Sequence, residues 1–156
     1  MEKLRRANMF EITEFVQPAE LRERLLQERA ELAKQTTCTH QFAAYENLAE
    51  VGYLSFDDRS DIKTGVLYEV FVLLQFRHRG AGSKLVTFAE DFARSIGCTR
   101  VRLTVNAFDL SVGHNWLESW YAKRGYLIAQ DGSQEYEKYL QAVEQAARES
   151  GAPEAE

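Results

Sequence analysis

The chain has 156 residues, a formal net charge of −5 at pH 7, and 45% hydrophobic and 12% aromatic residues. This length and apolar content predict a single folded domain over residues 1–156, with loose ends at about 1–9 and 150–156. The acidic balance argues against a nucleic-acid partner, because such proteins usually carry a basic excess. No apolar run is long enough for a signal peptide or a membrane span, so we expect a cytoplasmic protein with no membrane partner.

The cysteines and histidines show no pattern that is typical of a metal site. Cys38 and Cys98 stand far apart, and the three histidines are not paired at ligand spacing. We therefore expect no metal, and two ordinary thiols of a reducing compartment.

The first part of the chain predicts a strand, a helix and a hairpin. Residues 10–16 alternate partly and predict a strand, and Pro18 suits the first turn of an amphipathic helix over 18–34. Two short strands at 41–47 and 51–56 are joined closely enough to form a hairpin. The polar run 57–65 predicts a loop.

Residues 66–96 predict a strand, a turn and a helix. The sequence VLYEVFVLLQF at 66–76 is almost continuously apolar and predicts a strand buried on both faces. Apolar residues then recur at helical spacing from Leu85 to Ile96, and Gly97 predicts the end of that helix.

The turn RHRGAG at 77–82 carries the chemistry of this segment. Gly80 and Gly82 have no Cβ, so a bulky ligand can approach the backbone N–H groups closely. These groups lie at a helix N-terminus, which favours a phosphate or pyrophosphate, and Arg77, Arg79 and Lys84 add positive charge. The alternative is a plain tight turn between a strand and a helix.

The last third of the chain predicts further alternating elements. Residues 100–105 alternate and predict a strand, and a loop at 106–114 leads to a helix at 115–123 that Gly125 ends. Strands at 126–130 and 134–140 surround the hairpin dipeptide Asp131-Gly132, and 141–149 could be helical. The order of these elements predicts an α/β chain with a mixed sheet.

Two sequence motifs in this order point to a family. The R-x-x-G-x-G pattern of 77–82 fits neither a Walker loop nor a dinucleotide fingerprint. After a helix and a strand comes W-Y-A-K-R-G-Y at 120–126. Together they resemble the GNAT superfamily of N-acetyltransferases, clearly over residues 66–128.

The resemblance implies a mixed, mostly antiparallel sheet flanked by helices, with a splayed central strand pair. It also implies direct transfer of an acetyl group from acetyl-CoA to a primary amine in a ternary complex without metal.

The resemblance also implies which residues bind the cofactor. The loop N–H groups would hold the pyrophosphate, and the strand before it would expose backbone groups to the pantetheine arm. The N–H of Val72 would face the thioester oxygen, where charge grows during the reaction. The cofactor-binding set is Phe71, Val72, Leu74, Arg77, His78, Arg79, Gly80, Ala81, Gly82, Ser83 and Asn115.

Two catalytic candidates remain open between roles. Tyr121 matches the motif tyrosine that lies near the cofactor sulfur in relatives, where a phenol can donate a proton to the leaving thiolate, although it could simply belong to the core. Glu69 is the only charged residue in its strand and is the candidate general base. Some relatives carry an acid at this spacing and others place it further back, at Val66 here. A structural ion pair for Glu69, or a water chain acting as base, are the alternatives.

The motif asparagine is also ambiguous. Asn115 lies one residue later than the family pattern, so Asn106 competes with it, and Asn115 could instead cap a helix. His114 is a solvated loop residue in this interpretation. Trp116 and Trp120 are expected to serve packing.

The acceptor is unknown from the sequence. Acidic residues in predicted loops favour a small cationic amine, although an amino acid or a protein amine would also fit: Asp57, Asp58, Asp61, Asp109 and Asp131. A homodimer through the last strands is plausible. The alternatives to an enzyme are a catalytically silent GNAT-like module that binds acyl-CoA or a protein, and a generic α/β domain with a coincidental glycine turn.

Overall fold

The computed structural model describes residues 9–33, 35–105 and 113–141. Within these ranges the chain is mixed α/β, with seven strands and three α-helices. The elements are β1 (Phe10–Phe15), α1 (Arg24–Leu32), β2 (Thr39–Glu46), β3 (Ala49–Arg59), β4 (Thr64–Val72), α2 (Ala81–Ser95), β5 (Arg100–Leu103), α3 (His114–Ala122), β6 (Leu127–Ile128) and β7 (Tyr136–Tyr139). The predicted order of strands and helices is confirmed.

The chain forms two compact units. Of the described residues, the first unit takes those up to 58 together with 67–89, and the second takes 59–66 together with those from 90 to 141. In the first unit the strand order is β1-β2-β3-β4, and in the second it is β5-β7-β6. The pairs β1–β2, β2–β3, β5–β7 and β6–β7 are antiparallel. The mixed, mostly antiparallel sheet is therefore confirmed, whereas the splayed strand pair stays a prediction.

Helix α1 packs on one face of the first unit's sheet. The buried cluster between them combines side chains of the helix and its approach with inward residues of the strands: Phe15, Leu21, Leu26, Ala30, Ala43, Tyr53, Phe71 and Leu73. Such a continuous apolar contact supplies most of the stability of a layered fold.

The predicted helix over 18–34 is wrong in its first part. A 3-10 helix covers only Pro18–Glu20, and α1 begins at Arg24. The cause is the buried carboxylate of Glu50 in β3, which accepts N–H bonds of 2.9 Å from Arg22 and from Glu23. These donors precede the helix, and an anion at this end also complements its dipole.

The predicted loop at 57–65 is largely strand. β3 continues to Arg59 and β4 starts at Thr64, leaving a 3-10 helix at Ser60–Ile62 and a left-handed Lys63 (φ 54°) between them. The predicted hairpin of β2 and β3 is confirmed, with residues 47 and 48 as its positive-φ turn.

Strand β4 is shorter than predicted and is buried on one face only. It ends at Val72, and a 3-10 helix covers Leu74–Phe76. Burial alternates, with Leu67, Glu69 and Phe71 buried and Tyr68 exposed. A continuous apolar run therefore does not distinguish a strand buried on one face from a strand buried on both. The reason is that the exposed Tyr68 and the partly buried valines also count as apolar in the sequence.

The predicted helix ends of the second unit are confirmed. Gly97 and Gly125 have φ angles of 88° and 93°, which follow α2 and α3. After α2 the N–H of Cys98 bonds to Ala93 and that of Gly97 to Arg94, which is the hydrogen-bond pattern of a Schellman motif. In β5, Val101 is fully buried as expected.

The closing hairpin is shorter than predicted. β6 has two residues and β7 four, and they pair through Leu127 with Glu137 and Ile128 with Tyr136. The segment between them is held by Asp131, which accepts both the N–H and the hydroxyl of Ser133. Such an Asx turn lengthens the connection beyond two residues.

Among the described residues no helix is long and apolar enough to cross a membrane, and no group of three or more acidic, histidine or cysteine side chains could hold a metal. Both cysteines are free thiols, with Cys38 exposed and Cys98 buried. Predictions for Asn106, Asp109, the rest of 106–112, the first eight residues and the tail from 142 fall outside the described ranges.

Candidate active site

The glycine-bearing loop joins β4 to α2 in the first unit. His78 and Gly80 both adopt positive φ angles, of 64° and 86°. The N–H of Lys84 bonds to the carbonyl of Gly80 at 3.0 Å, which closes the first turn of α2. By helix geometry, the N–H groups of Ala81 and Gly82 in this turn have no carbonyl four residues earlier within the helix. A Cβ built on Gly80 meets nothing within 4 Å, so the space at Gly80 is open.

The cationic side chains of this loop lie on neighbouring aromatic rings. The Arg77 guanidinium carbon is 5.5 Å from the centre of the Phe71 ring, and its Nε donates a 2.8 Å bond to the carbonyl of Val72. The other two cations lie over rings as well, Arg79 over Phe76 at 5.7 Å and Lys84 over Phe10 at 4.5 Å. These contacts orient the side chains while their charge stays near the loop.

The strand residues predicted to meet the pantetheine arm lie just before this loop. The Phe71 side chain is buried in the core of the first unit. The N–H of Leu73 donates 2.9 Å to the carbonyl of Val51, so the chain follows β3 up to residue 73. Leu74 lies in the 3-10 helix with its side chain exposed, so its prediction as a strand residue is wrong. The roles of Phe71, Val72 and Leu74 toward a cofactor stay predictions.

Glu69 is a buried carboxylate beside one arginine. Its Oε1 lies 3.2 Å from Nη1 of Arg29 in α1, and the side chain of Glu69 is 4% exposed. Burial raises the pKa of Glu69, and the positive charge of Arg29 opposes that rise. The geometry of the ion-pair alternative is thus present, and the role of Glu69 as base stays a prediction.

Tyr121 belongs to an aromatic cluster of the second unit. Its ring meets those of Trp120 and Tyr126 edge to face, with centroids at 4.9 Å and 5.7 Å. The side chain is buried, and burial raises the pKa of Tyr121 to about 12. The phenol is therefore protonated at neutral pH, the form that a proton donor requires. Packing and catalysis are compatible here, and the catalytic role stays a prediction.

The second motif is fixed by residues that the sequence interpretation missed. The Tyr126 hydroxyl donates 3.0 Å to Oε2 of Glu90 in α2, and Nζ of Lys138 donates 2.9 Å to Oε1. The Lys138 side chain also lies over Gly125, with Cε 3.4 Å from the position of a Cβ. Arg124 stacks on Trp120, with its guanidinium carbon 3.5 Å from the ring centre. No local signal singled out Glu90, because two adjacent acids, Glu90 and Asp91, lie in the helix predicted from Leu85 to Ile96.

Asn115 is the second residue of α3. Gly113 occupies the N-cap position, so the alternative of Asn115 as a helix cap is wrong. His114 begins the helix instead of lying in the predicted loop, and its Nε2 is 2.9 Å from Oε1 of Glu118. Both His114 and Asn115 are exposed, and the cofactor contact of Asn115 stays a prediction.

Several acidic residues predicted to attract the acceptor have partners within the chain. Asp57 accepts 2.7 Å from the hydroxyl of Thr39, and Asp61 lies 3.4 Å from Arg59. Asp131 lies 2.5 Å from Arg102. The two ion pairs with arginine reduce the charge that the loops present to a ligand, whereas the neutral Thr39 hydroxyl leaves the charge of Asp57 unchanged.

The chain matches known proteins in sequence pattern and in fold. Residues 2–126 match the family model described as the acetyltransferase (GNAT) family. No relative is found among curated proteins. A candidate acyl-CoA N-acyltransferase from Klebsiella pneumoniae is 21% identical over 85% of this chain and 99% of its own, with a TM-score of 0.61.

Two further similar structures were solved with coenzyme A or acetyl-CoA bound. A GNAT acetyltransferase from Elizabethkingia anophelis with acetyl-CoA bound is 15% identical over 84% of this chain and 98% of its own, with a TM-score of 0.60. The PaiA N-acetyltransferase from Thermoplasma acidophilum in complex with coenzyme A is 13% identical over 85% and 99%, with a TM-score of 0.57. At these identities the likeness concerns the fold.

Proposed function

Because the chain belongs to the GNAT acetyltransferase family, we propose that it transfers an acetyl group from acetyl-CoA to a primary amine. The observation that carries this proposal is the loop at Gly80. Its left-handed backbone leaves open space where a Cβ would stand, next to the N-terminus of α2. Neighbours solved with coenzyme A or acetyl-CoA support the choice of co-substrate.

The loop is suited to a diphosphate through its backbone. N–H groups in the first turn of α2 combine hydrogen-bond donors with the positive end of the helix dipole. Arg77 and Arg79, turned onto Phe71 and Phe76, add charge without filling the space above the glycine. The cofactor-binding residues predicted from the sequence remain our assignment for this segment.

Two side chains of the protein would carry out the proton transfers. Acetyl-CoA supplies the activated acyl group as a thioester. Glu69 takes one proton from the acceptor ammonium, which frees the nitrogen lone pair to form the new C–N bond as the C–S bond breaks. Tyr121 gives its proton to the leaving thiolate and regains one from the nitrogen, which becomes a neutral amide. The N–H of Val72 would stabilise the growing negative charge on the carbonyl oxygen, a contribution of about 3 kcal/mol in comparable sites.

We propose a small cationic amine as acceptor. The formal charge of −5 favours a cationic partner by general attraction. Two of the aspartates that motivated this choice are paired with arginines, Asp61 with Arg59 and Asp131 with Arg102. The support from the loops is therefore reduced, and the acceptor screen includes neutral and peptidic amines.

The proposal is tested by calorimetric titration with acetyl-CoA, followed by a thiol-release assay with spermidine, kanamycin, free lysine and a lysine-containing peptide. We expect micromolar binding and amine-dependent thiol release with at least one acceptor. Absence of binding would contradict the proposal. Binding without any turnover would favour the silent acyl-CoA-binding module that the sequence left as an alternative.

A further inference from the structure

Glu69 and Arg29 join a strand to a helix across the buried face of the first unit. Glu69 stands on β4 two residues before Phe71, and both point to the side covered by α1. The distance from Nη1 of Arg29 to Oε1 of Glu69 is 3.2 Å. None of the described residues donates a hydrogen bond of acceptable geometry to that oxygen. Arg29 therefore interacts with Glu69 chiefly through its positive charge.

A ring contact fixes the guanidinium of Arg29. Its central carbon lies 4.6 Å from the centroid of the Phe71 ring, and its side chain is only 20% exposed. The neighbouring residues Leu26 and Ala30 of α1 are fully buried in the same cluster. The helix and the ring therefore hold the guanidinium in one place, which is uncommon for a long arginine side chain.

We infer that Arg29 is a positioning residue for acyl transfer, which keeps the Glu69 carboxylate ionised so that it accepts the proton. This inference rests on the proposed function, in which Glu69 takes the ammonium proton. Arg29 need not touch the substrate, because it acts through the carboxylate.

The charges around Glu69 support this role. Burial favours its neutral form, and Arg29 is the charge that opposes burial. Tyr53 of β3 faces the same region, and its hydroxyl donates 2.8 Å to Oε1 of Gln41. The pKa of Tyr53 is raised by burial first, then by the negative charges of Glu69 and Asp57, so Tyr53 stays neutral and adds no cation. Arg77 stands on the Phe71 ring 5.5 Å away, and the exposed Tyr68 precedes Glu69.

The direction of the effect follows from these signs. Without Arg29 the pKa of Glu69 rises further, so a smaller fraction of the carboxylate is ionised at neutral pH. The acid limb of kcat/KM then moves to higher pH, while activity at high pH recovers. Loss of a merely structural contact would lower activity at every pH by a similar factor.

The test compares Arg29→Met, Arg29→Lys and Arg24→Met. Methionine keeps a long apolar stem without charge, and lysine keeps the charge. Arg24 is the matched control, since it lies on the same helix and pairs with Glu28 at the surface, with 90% of its side chain exposed. The assay is amine-dependent thiol release between pH 5 and 9.5. Parallel carbon-13 NMR titration follows the Glu69 carboxylate, assigned by its loss in Glu69→Gln.

We expect the acid limb to rise by about one pH unit or more in Arg29→Met, which corresponds to a roughly tenfold lower kcat/KM below the limb. Arg29→Lys should shift it less, and Arg24→Met should not shift it. An unmoved limb and an unmoved carboxylate titration in Arg29→Met would overturn the inference.

The NMR titration separates the two failures. A wild-type protein that releases no thiol with any amine contradicts the proposed function and, with it, the catalytic part of this inference. The charge coupling is then still decided by whether the Glu69 carboxylate titrates higher without Arg29. If Arg29→Met does not fold, the titration is made in Arg29→Gln, which also removes the charge, and an unmoved carboxylate titration there would overturn the inference.

Discussion

The hydroxyl of Tyr126 donates a 3.0 Å hydrogen bond to Oε2 of Glu90, a carboxylate whose residue is 6% exposed. Lys138 completes the set with a 2.9 Å bond to Oε1. The pKa of Tyr126 is raised chiefly by burial, and the negative charge of Glu90 raises it further. The phenol therefore keeps its proton and donates the hydrogen bond to Glu90. The last residue of the second motif is thus tied to α2 by a charge-assisted bond, and Glu90 links it to Lys138 of β7.

Replacing Tyr126 by phenylalanine should destabilise the protein by about 2 kcal/mol, because it leaves one buried carboxylate oxygen without its donor. Urea unfolding monitored by circular dichroism measures the change. Tyr139→Phe is the matched control, since it removes the same hydroxyl from a residue that is 66% exposed. Equal midpoints for the two variants would show that the bond to Glu90 contributes no net stability.

Replacing Gly80 by alanine should weaken acetyl-CoA binding beyond its effect on folding. Gly80 has a φ angle of 86° and open space at the Cβ position. Alanine therefore costs about 1 kcal/mol of backbone strain and also places a methyl group where we propose the diphosphate binds. We expect at least a tenfold higher Kd by calorimetry.

Gly97→Ala is the control for that experiment. Gly97 follows α2 with a φ angle of 88° and equally open surroundings, so its substitution imposes the same backbone strain at the other end of the helix. We expect similar losses of stability in both variants and a changed affinity only in Gly80→Ala. Equal affinities would remove the loop from the proposed binding site.

The order of the elements could be predicted because local patterns are strong in this chain. The glycines at 97 and 125 end α2 and α3 as expected, since only a left-handed residue allows those hydrogen bonds. The alternation of β5 likewise follows from period-two burial.

The predictions that failed depend on partners distant in sequence. The start of α1 is set by Glu50, which lies 28 residues after Arg22, and no local pattern marks that contact. Gly52 allows close approach of β4 and α2, because a Cβ there would lie 3.0 Å from the Phe71 carbonyl and 3.1 Å from Leu85. The sequence interpretation also selected Glu69 as a lone acid, although it could not identify Arg29 as its partner.

Replacing Tyr121 by phenylalanine should lower kcat by about 10²-fold or more, with little change in the Kd for acetyl-CoA, if the phenol protonates the thiolate. The ring contacts with Trp120 and Tyr126 survive in phenylalanine, so stability should be nearly unchanged. Because the pKa of Tyr121 is raised to about 12, its deprotonation should cause no alkaline loss of wild-type activity below about pH 10. A variant with normal kcat would leave Tyr121 with packing alone.

Replacing Asp131 by asparagine should lower the stability of the protein at neutral pH. It should also reduce the amount of stability that the protein loses when the pH falls. Asp131 accepts hydrogen bonds from the hydroxyl and the N–H of Ser133, and it lies 2.5 Å from Arg102. The hydrogen bond from the Ser133 hydroxyl is the largest of the causes that lower the pKa of Asp131. A carboxylate with a lowered folded pKa stabilises the protein above its unfolded value, here 3.8, and loses that contribution as the pH falls toward the folded value. The urea midpoint of the wild type should therefore fall by more between pH 7 and about pH 3 than the urea midpoint of Asp131→Asn.

Asp91→Asn is the control, since Asp91 is an exposed helix residue paired with Arg94 at 2.9 Å, and such surface pairs contribute little. The same acid-induced loss in wild type and Asp131→Asn would show that the Arg102 and Ser133 contacts do not anchor the closing hairpin.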